Sequence, residues 1–244
     1  MRKRLYVVGL GPGEDLYMTR QALEALEQAQ VLYGYTKYIE LVSPLYPEKP
    51  AVTTPMTQEL KRCRMALEEA DQGKTVALVC SGDAGVYGMA GPVLDMSGDF
   101  PEVEVEIVGG ITAALSGAAV LGAPLMNDFA VISLSDLLTP WETIEKRLRG
   151  AAEADFCICL YNPSSRKRGD YLERACSILL ESRAQDTVCG WVKNIGRPGQ
   201  ESRVLTLEEL GKETVDMFTT VFIGNSMTHR SAGRMVTSRG YEKK

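Results

Sequence analysis

The chain has 244 residues, 45% of them hydrophobic and 24% charged, and its formal net charge is −5. This composition is typical of a globular protein with a sizeable core, and the negative charge argues against a general nucleic-acid or anionic-membrane surface. No apolar run reaches the roughly 18 residues of a membrane span and no signal-peptide pattern opens the chain, so we expect a cytoplasmic protein without nucleic-acid or membrane partners.

The first half alternates apolar runs with amphipathic stretches. Strands are predicted at 4–10, 31–35, 75–80 and 103–108, and helices at 19–29, 58–72, 92–96 and 113–119. A strand, helix, strand order of this kind predicts a parallel α/β sheet.

Glycine-rich loops follow three of these strands. Gly-Leu-Gly-Pro-Gly occupies 9–13, Ser-Gly-Asp-Ala-Gly-Val-Tyr-Gly occupies 81–88, and Gly-Gly-Ile-Thr-Ala-Ala occupies 109–114. Open α/β sheets bind ligands at the carboxyl ends of their strands, and glycines let backbone amides approach a ligand closely. The loop at 81–88 is also compatible with a tight turn in which Asp83 only caps a helix.

The first loop matches a dinucleotide fingerprint only in part. The third glycine of that pattern would stand at position 14, where the chain has Glu14, and Pro12 removes an amide that a phosphate would use. The sequence therefore disfavours a nicotinamide or nucleotide-phosphate site.

The second half repeats the alternation. Strands are predicted at 129–134, 156–161, 187–193, 203–206 and 219–223, and helices at 141–148 and 171–180. The pattern pauses near Pro124, which predicts two α/β domains at 1–124 and 125–244. The six cysteines form no Cys-x-x-Cys pair, so we expect buried, reduced thiols and no metal.

The glycine loops and the segment Tyr-Asn-Pro-Ser-Ser-Arg-Lys-Arg at 161–168 together resemble the tetrapyrrole methylases of cobalamin biosynthesis. The resemblance covers essentially the whole chain and is strongest to the branch that methylates C17 of precorrin-3B. It implies the tetrapyrrole methylase fold, with S-adenosylmethionine in a cleft between two α/β domains, and a homodimer. The implied reaction transfers a methyl group to C17 of precorrin-3B or its cobalt complex, a corrinoid precursor, and is linked to contraction of the ring.

Matching the family's motifs position by position implies a set of cofactor-binding residues: Leu10, Pro12, Gly82, Asp83, Val86, Thr112, Ala113, Tyr161, Asn162 and Asn225. The chemistry agrees, because the amine, carboxylate, ribose and adenine of S-adenosylmethionine need loop amides, carbonyls and an acceptor such as Asp83. The methyl group is already activated and the ring carbon is already nucleophilic, so positioning can supply most of the rate. We expect no Ser-His-Asp triad, since the chain has a single histidine.

Several roles stay open. Asp83, Tyr87 and Tyr161 are candidate acid–base groups only by proximity, and Tyr87 is equally suited to packing. His229 is a bystander or a proton donor. The carboxylates of a corrinoid need basic partners, for which Arg166, Lys167, Arg168 and Lys193 are candidates, although each is as compatible with a solvated surface.

Two other functions fit parts of the pattern. A sister methylase acting on another ring carbon would share the cofactor loops and differ only where it meets its substrate. A non-catalytic α/β ligand-binding protein would use the glycine loops to hold a phosphate instead.

Overall fold

The computed structural model describes residues 3–165 and 169–241. It divides the chain into two compact units, Met1–Ala113 and Ala114–Lys244. Within the described residues, no helix combines the length and the apolar composition needed to cross a bilayer.

The first unit is built on a five-stranded parallel sheet with strand order β3-β2-β4-β1-β5. Its elements are β1 (Arg4–Gly9), α1 (Arg20–Gln28), β2 (Val31–Tyr35), α2 (Thr36–Val42), β3 (Ala51–Thr54), α3 (Glu59–Asp71), β4 (Thr75–Cys80), α4 (Ala90–Met96) and β5 (Glu104–Val108). Short 3-10 helices occupy Asp15–Tyr17 and Ser97–Asp99.

Both faces of this sheet are covered by helices. Along β1, Leu5 and Val7 face one apolar cluster, while Tyr6 and Val8 face the other. Successive side chains of a strand point to opposite faces, so a strand buried on both sides appears in sequence as a continuous apolar run. Because all five strands are parallel, their carboxyl ends lie along one edge of the sheet, where the glycine loops begin.

The second unit contains a mixed five-stranded sheet with strand order β10-β9-β11-β8-β7 and a small sheet with order β12-β13-β6. Its elements are α5 (Ala113–Leu121), β6 (Gly122–Ala123), β7 (Phe129–Ser133), α6 (Trp141–Glu153), β8 (Cys157–Tyr161), α7 (Tyr171–Leu179), β9 (Val188–Lys193), β10 (Glu201–Thr206), α8 (Leu207–Leu210), β11 (Thr219–Ile223), β12 (Thr228–Ser231) and β13 (Arg234–Thr237).

Strand direction decides which loops of the second unit can share a site. Strands β7 and β8 are parallel, whereas β11 is antiparallel to both β8 and β9. The carboxyl ends of β7, β8 and β9 thus lie on one edge of the sheet, and the carboxyl end of β11 lies on the other.

The boundary between the units lies after Ala113, before the predicted break at Pro124. Helix α5 packs within the second unit, because a Cβ on Gly117 would come within 2.8 Å of Phe222 Cζ. Strand β6 also pairs with β13 of the same unit. The pause near Pro124 therefore follows directly on β6, Gly122–Ala123, a strand of the small sheet.

Candidate functional site

Three loops converge at the carboxyl edge of the first sheet, after β1, β4 and β5. The Gly11 N–H donates to the Gly82 carbonyl at 3.0 Å, and the Gly82 N–H donates back to the Gly11 carbonyl at 2.7 Å. The hydroxyl of Thr19, which caps α1, donates to the Gly109 carbonyl at 3.2 Å. These bonds join the segment between β1 and α1 to each of the other two loops.

The Asp83 carboxylate fastens two of these loops. Its Oδ1 accepts the backbone N–H groups of Gly85 at 2.8 Å and Val86 at 3.0 Å, and its Oδ2 accepts the N–H of Gly110 at 2.9 Å. A carboxylate can accept about four hydrogen bonds, so three are committed to shaping the loops. The sequence predicts that Asp83 contacts the cofactor, and the structure adds that its carboxylate holds the backbone of the loops around it.

Glycine is required where these backbones meet. A Cβ on Gly110 would lie 2.2 Å from the Gly82 carbonyl oxygen and 2.5 Å from the Gly9 carbonyl oxygen, and a Cβ on Gly9 would lie 2.8 Å from the Gly110 nitrogen. Gly82 itself adopts φ +70°, a left-handed conformation that favours glycine. Gly9 and Gly110 were missing from the predicted site, although both glycines stand in the motifs.

The other predicted residues of this unit differ in accessibility. Leu10 and Pro12 are buried, so they can meet a ligand mainly through their backbone, while Val86, Thr112 and Ala113 are half-buried. Tyr87 is exposed and adopts φ 54° at the rim of the 81–88 loop. The edge thus offers carbonyls, amides and the Asp83 carboxylate, a set suited to a ligand with hydroxyl and amine donors rather than to a phosphate.

In the second unit, Tyr161 is the last residue of β8 and Asn162 follows it. The Tyr161 hydroxyl accepts the backbone N–H of Ala114, in the first turn of α5, at 2.7 Å. Asn162 adopts φ 52° and donates from Nδ2 to the Ser133 hydroxyl at 2.9 Å. Ser133 was missed by the sequence reasoning, and its only signal was its place at the end of the strand beside β8.

Asn225 lies away from Tyr161 and Asn162, because β11 ends on the opposite edge of the sheet. The length of β8 alone separates the two edges by about 13 Å. Asn225 is buried and donates from Nδ2 to the Asp155 carbonyl at 3.1 Å, and its own side-chain oxygen accepts the Met227 N–H. The structure therefore does not bring this predicted cofactor residue together with the others of its unit.

Asp155 organises that opposite edge. It pairs with Arg183 and accepts hydrogen bonds from the Ser226 backbone at 3.1 Å and the Ser226 hydroxyl at 2.6 Å. Burial would by itself raise the pKa of Asp155, but the Ser226 hydrogen bonds and the Arg183 charge outweigh it and lower the pKa. The cluster joins the start of β8 to the end of β11.

Lys193, a predicted substrate contact, already has a partner. Its ammonium forms an ion pair with Asp216 at 2.8 Å, which raises the Lys193 pKa. Both line a cavity of about 220 Å³. A substrate carboxylate would have to compete with Asp216 for this ammonium. The other predicted substrate contacts, Arg166, Lys167 and Arg168, lie outside the described residues.

The groups best known as nucleophiles or metal ligands do not gather at these loops. His229 is exposed on β12, which follows β11 at the edge opposite Tyr161. All six cysteines are free and buried, as predicted, and burial raises the pKa of Cys80, the one before the 81–88 loop, to about 11. Across the described part of the chain, no three His, Cys, Asp or Glu side chains converge as metal ligands would.

Comparisons with known proteins agree with this architecture. The family model of the tetrapyrrole (corrin/porphyrin) methylases matches residues 4–211. The crystal structure of the methyltransferase CobJ superposes with a TM-score of 0.90 at 37% identity, covering 96% of this chain and 99% of that one.

Two relatives carry more specific names. The probable cobalt-factor III C(17)-methyltransferase of Salmonella typhimurium is 48% identical, over 97% of this chain and 99% of the relative. The precorrin-3B C(17)-methyltransferase of a Sinorhizobium species is 40% identical, over 93% of this chain and 91% of the relative. Since the family model spans most of the chain and both relatives match it nearly end to end, the chain belongs to the tetrapyrrole (corrin/porphyrin) methylases.

Proposed function

We propose that this chain transfers the methyl group of S-adenosylmethionine to C17 of cobalt-factor III or of precorrin-3B, as part of cobalamin biosynthesis. The names of the two relatives support the position on the ring. The higher identity to the cobalt-factor relative, 48% against 40%, favours the cobalt-containing substrate.

The observation that carries the cofactor proposal is the Asp83 carboxylate, which ties the loops after β4 and β5 together. A fixed carboxylate among carbonyls repels phosphate and accepts the hydroxyl and amine donors of S-adenosylmethionine. The proposed contacts are Gly82, Val86, Thr112 and Ala113, with the backbone of Leu10 and Pro12. In the second unit, Tyr161 and Asn162 are proposed as further contacts, and Asn225 is not.

The main task of the protein in this reaction is to orient the cofactor and the substrate. S-adenosylmethionine, when bound, supplies a methyl group that needs no further activation. The loops hold their shape through Asp83 and the Gly11–Gly82 bridge, so little rearrangement is needed on binding. On sequence grounds, the basic residues Arg166, Lys167 and Arg168 are proposed to meet the carboxylates of the substrate.

The decisive experiment follows a labelled methyl group. The protein is incubated with methyl-labelled S-adenosylmethionine and with cobalt-factor III or precorrin-3B in parallel, and the labelled carbon is located by NMR. We expect the label at C17, with faster turnover of the cobalt-containing substrate. Label on another ring carbon would instead identify a sister methylase. Binding of ATP but not of S-adenosylhomocysteine would indicate a nucleotide-binding protein.

A further inference from the structure

We propose that Leu137 and Leu138, in the loop between β7 and α6, form an apolar contact for the ring face of the tetrapyrrole substrate. This rests on the proposed function and adds a substrate-specificity element to it. Leu137 is 67% exposed and Leu138 is 98% exposed. The two adjacent leucines therefore present a contiguous apolar surface to water and contribute little to the core of their unit.

The loop is held firmly on the side of β7. The Leu134 N–H donates to the Tyr161 carbonyl at 2.9 Å, and the Leu134 side chain is completely buried. The Ser133 hydroxyl accepts the Ser135 N–H at 3.2 Å and also the Asn162 side chain. The residues just before the leucines are therefore tied to the end of β8.

Contacts with α7 hold the loop at both ends, at Asp136 before the leucines and at Trp141, the first residue of α6, after them. The Tyr171 hydroxyl donates to Asp136 Oδ2 at 2.6 Å, and the Tyr171 ring packs on Trp141 with 4.4 Å between centroids. The Arg174 guanidinium lies 4.1 Å from the Trp141 ring centroid. With both flanks anchored, the two leucines are presented to solvent from a defined position, which limits the entropy lost when they bind.

The leucines lie next to the predicted cofactor residues of the same unit. Register pairs Ser133 with Tyr161, so the loops after β7 and β8 leave the sheet side by side. Tyr161 in turn contacts the Ala114 amide, and the next residue, Leu115, is 52% exposed. A line of hydrogen bonds thus connects the first turn of α5 to the leucine loop, with apolar side chains at both ends.

The chemistry of the occupant follows from these side chains. A tetrapyrrole precursor is a broad apolar ring with ionised carboxylates on its rim. Leucines cannot pair with the carboxylates, but they match the ring face, and basic residues are needed only at the rim. A second protein copy fits less well, because two leucine side chains supply a small part of the roughly 800 Å² that each partner buries in a stable interface.

The test compares Leu138→Ala and Leu137→Ala with Leu94→Ala. Leu94, on α4 of the other unit, is 51% exposed and serves as the control. KM is measured for cobalt-factor III and for S-adenosylmethionine. Binding of cobalt-factor III in the presence of S-adenosylhomocysteine is titrated by absorbance, and molar mass is followed by light scattering. We expect KM and Kd for cobalt-factor III to rise about tenfold in Leu138→Ala. In the same variant, KM for S-adenosylmethionine and the molar mass stay unchanged. Leu138→Met should keep most of the wild-type affinity for cobalt-factor III.

The inference is overturned if both leucine variants keep KM and Kd for cobalt-factor III within twofold of the wild type, or if Leu94→Ala raises them equally. A change of molar mass in the leucine variants would also overturn it, because the leucines would then belong to an interface between copies. A wild-type protein that binds cobalt-factor III without methylating it would refute the proposed function alone, and the binding titration would still decide the role of the leucines. A wild-type protein that does not bind this tetrapyrrole would refute both.

Discussion

At the scale of single residues, the role of Asp83 is the clearest refinement that the structure makes. An acidic residue in a glycine loop suggests direct contact with a ligand, but this carboxylate accepts three backbone amides from two loops. The carboxylate therefore holds Gly85, Val86 and Gly110 in position, and of its about four acceptor sites one remains for a donor of the ligand. Each such hydrogen bond to a charged group contributes about 1.5–3 kcal/mol.

We predict that Asp83→Asn binds S-adenosylhomocysteine about tenfold more weakly than the wild type, because the amide can still accept from Gly85 and Val86 but its NH₂ cannot accept from Gly110. Asp83→Ala should lose more affinity, since all three amides lose their acceptor. Titration calorimetry measures both. The matched control is Asp186→Asn, at an exposed position in the second unit. Wild-type affinity in Asp83→Asn would show that the hydrogen bond from Gly110 to Asp83 is not needed for binding.

At the scale of elements, the close approach of the loops after β1, β4 and β5 explains why glycines recur at their ends. The backbones of Gly9, Gly82 and Gly110 leave no room for a side chain on Gly9 or Gly110. At Gly9 and Gly110 the backbone of a neighbouring loop occupies the place of a side chain, since an added Cβ would lie 2.7 Å and 2.2 Å from the Gly82 carbonyl oxygen.

Gly110→Ala should therefore destabilise the first unit by about 3 kcal/mol or prevent its folding, because the new Cβ would overlap two carbonyl oxygens. Thermal or urea unfolding monitored by circular dichroism measures the loss. Gly91→Ala is the control, since Gly91 lies within α4 and a Cβ added there would meet no heavy atom within 4 Å. That variant should gain about 0.5–1 kcal/mol from the better helix propensity of alanine. Equal stability of the two variants would contradict the packing at Gly110.

At the scale of the whole molecule, ion pairs join elements that are distant in sequence. Asp155, just before β8, pairs with Arg183 and accepts a hydrogen bond from Ser226, just after β11. Asp216 pairs with Lys193, the last residue of β9. Burial alone would raise the pKa of Asp216, but the hydrogen bond from Lys193 and those from Phe218 and Thr219 lower it overall. The pKa of Asp155 is lowered in the same manner.

A carboxyl group with a lowered folded-state pKa contributes stability that is complete above its ordinary pKa of 3.8 and is lost as the pH falls through the lower folded value. We therefore predict that the melting temperature falls between about pH 5 and pH 3, and that Asp155→Asn lowers it at pH 7 while making this acid dependence shallower. Calorimetry at several pH values checks both effects. Asp186→Asn should retain the wild-type slope, and an unchanged slope in Asp155→Asn would rule out its contribution.

The sequence alone determined the α/β class, most of the strands and the glycine loops, because hydrophobic period and glycine placement are local properties. It missed α2, β3, α8 and the β12–β13 hairpin, which are short or exposed and have little periodicity. The order of the motifs also identified the family, since four motifs in one order are far more specific than any one alone.

Only the tertiary structure decided which loops share an edge. Strand direction is a non-local property, so nothing in the sequence near Asn225 indicated that β11 runs antiparallel to β8 and carries that residue away from Tyr161. The hydrogen bonds of Asn162 to Ser133 and of Gly110 to Asp83 likewise join residues 29 and 27 positions apart, which only the arrangement of the strands brings together. The sequence thus identifies the residue types that could form a site, because these are local properties. Which of those residues come together depends on how the strands pair.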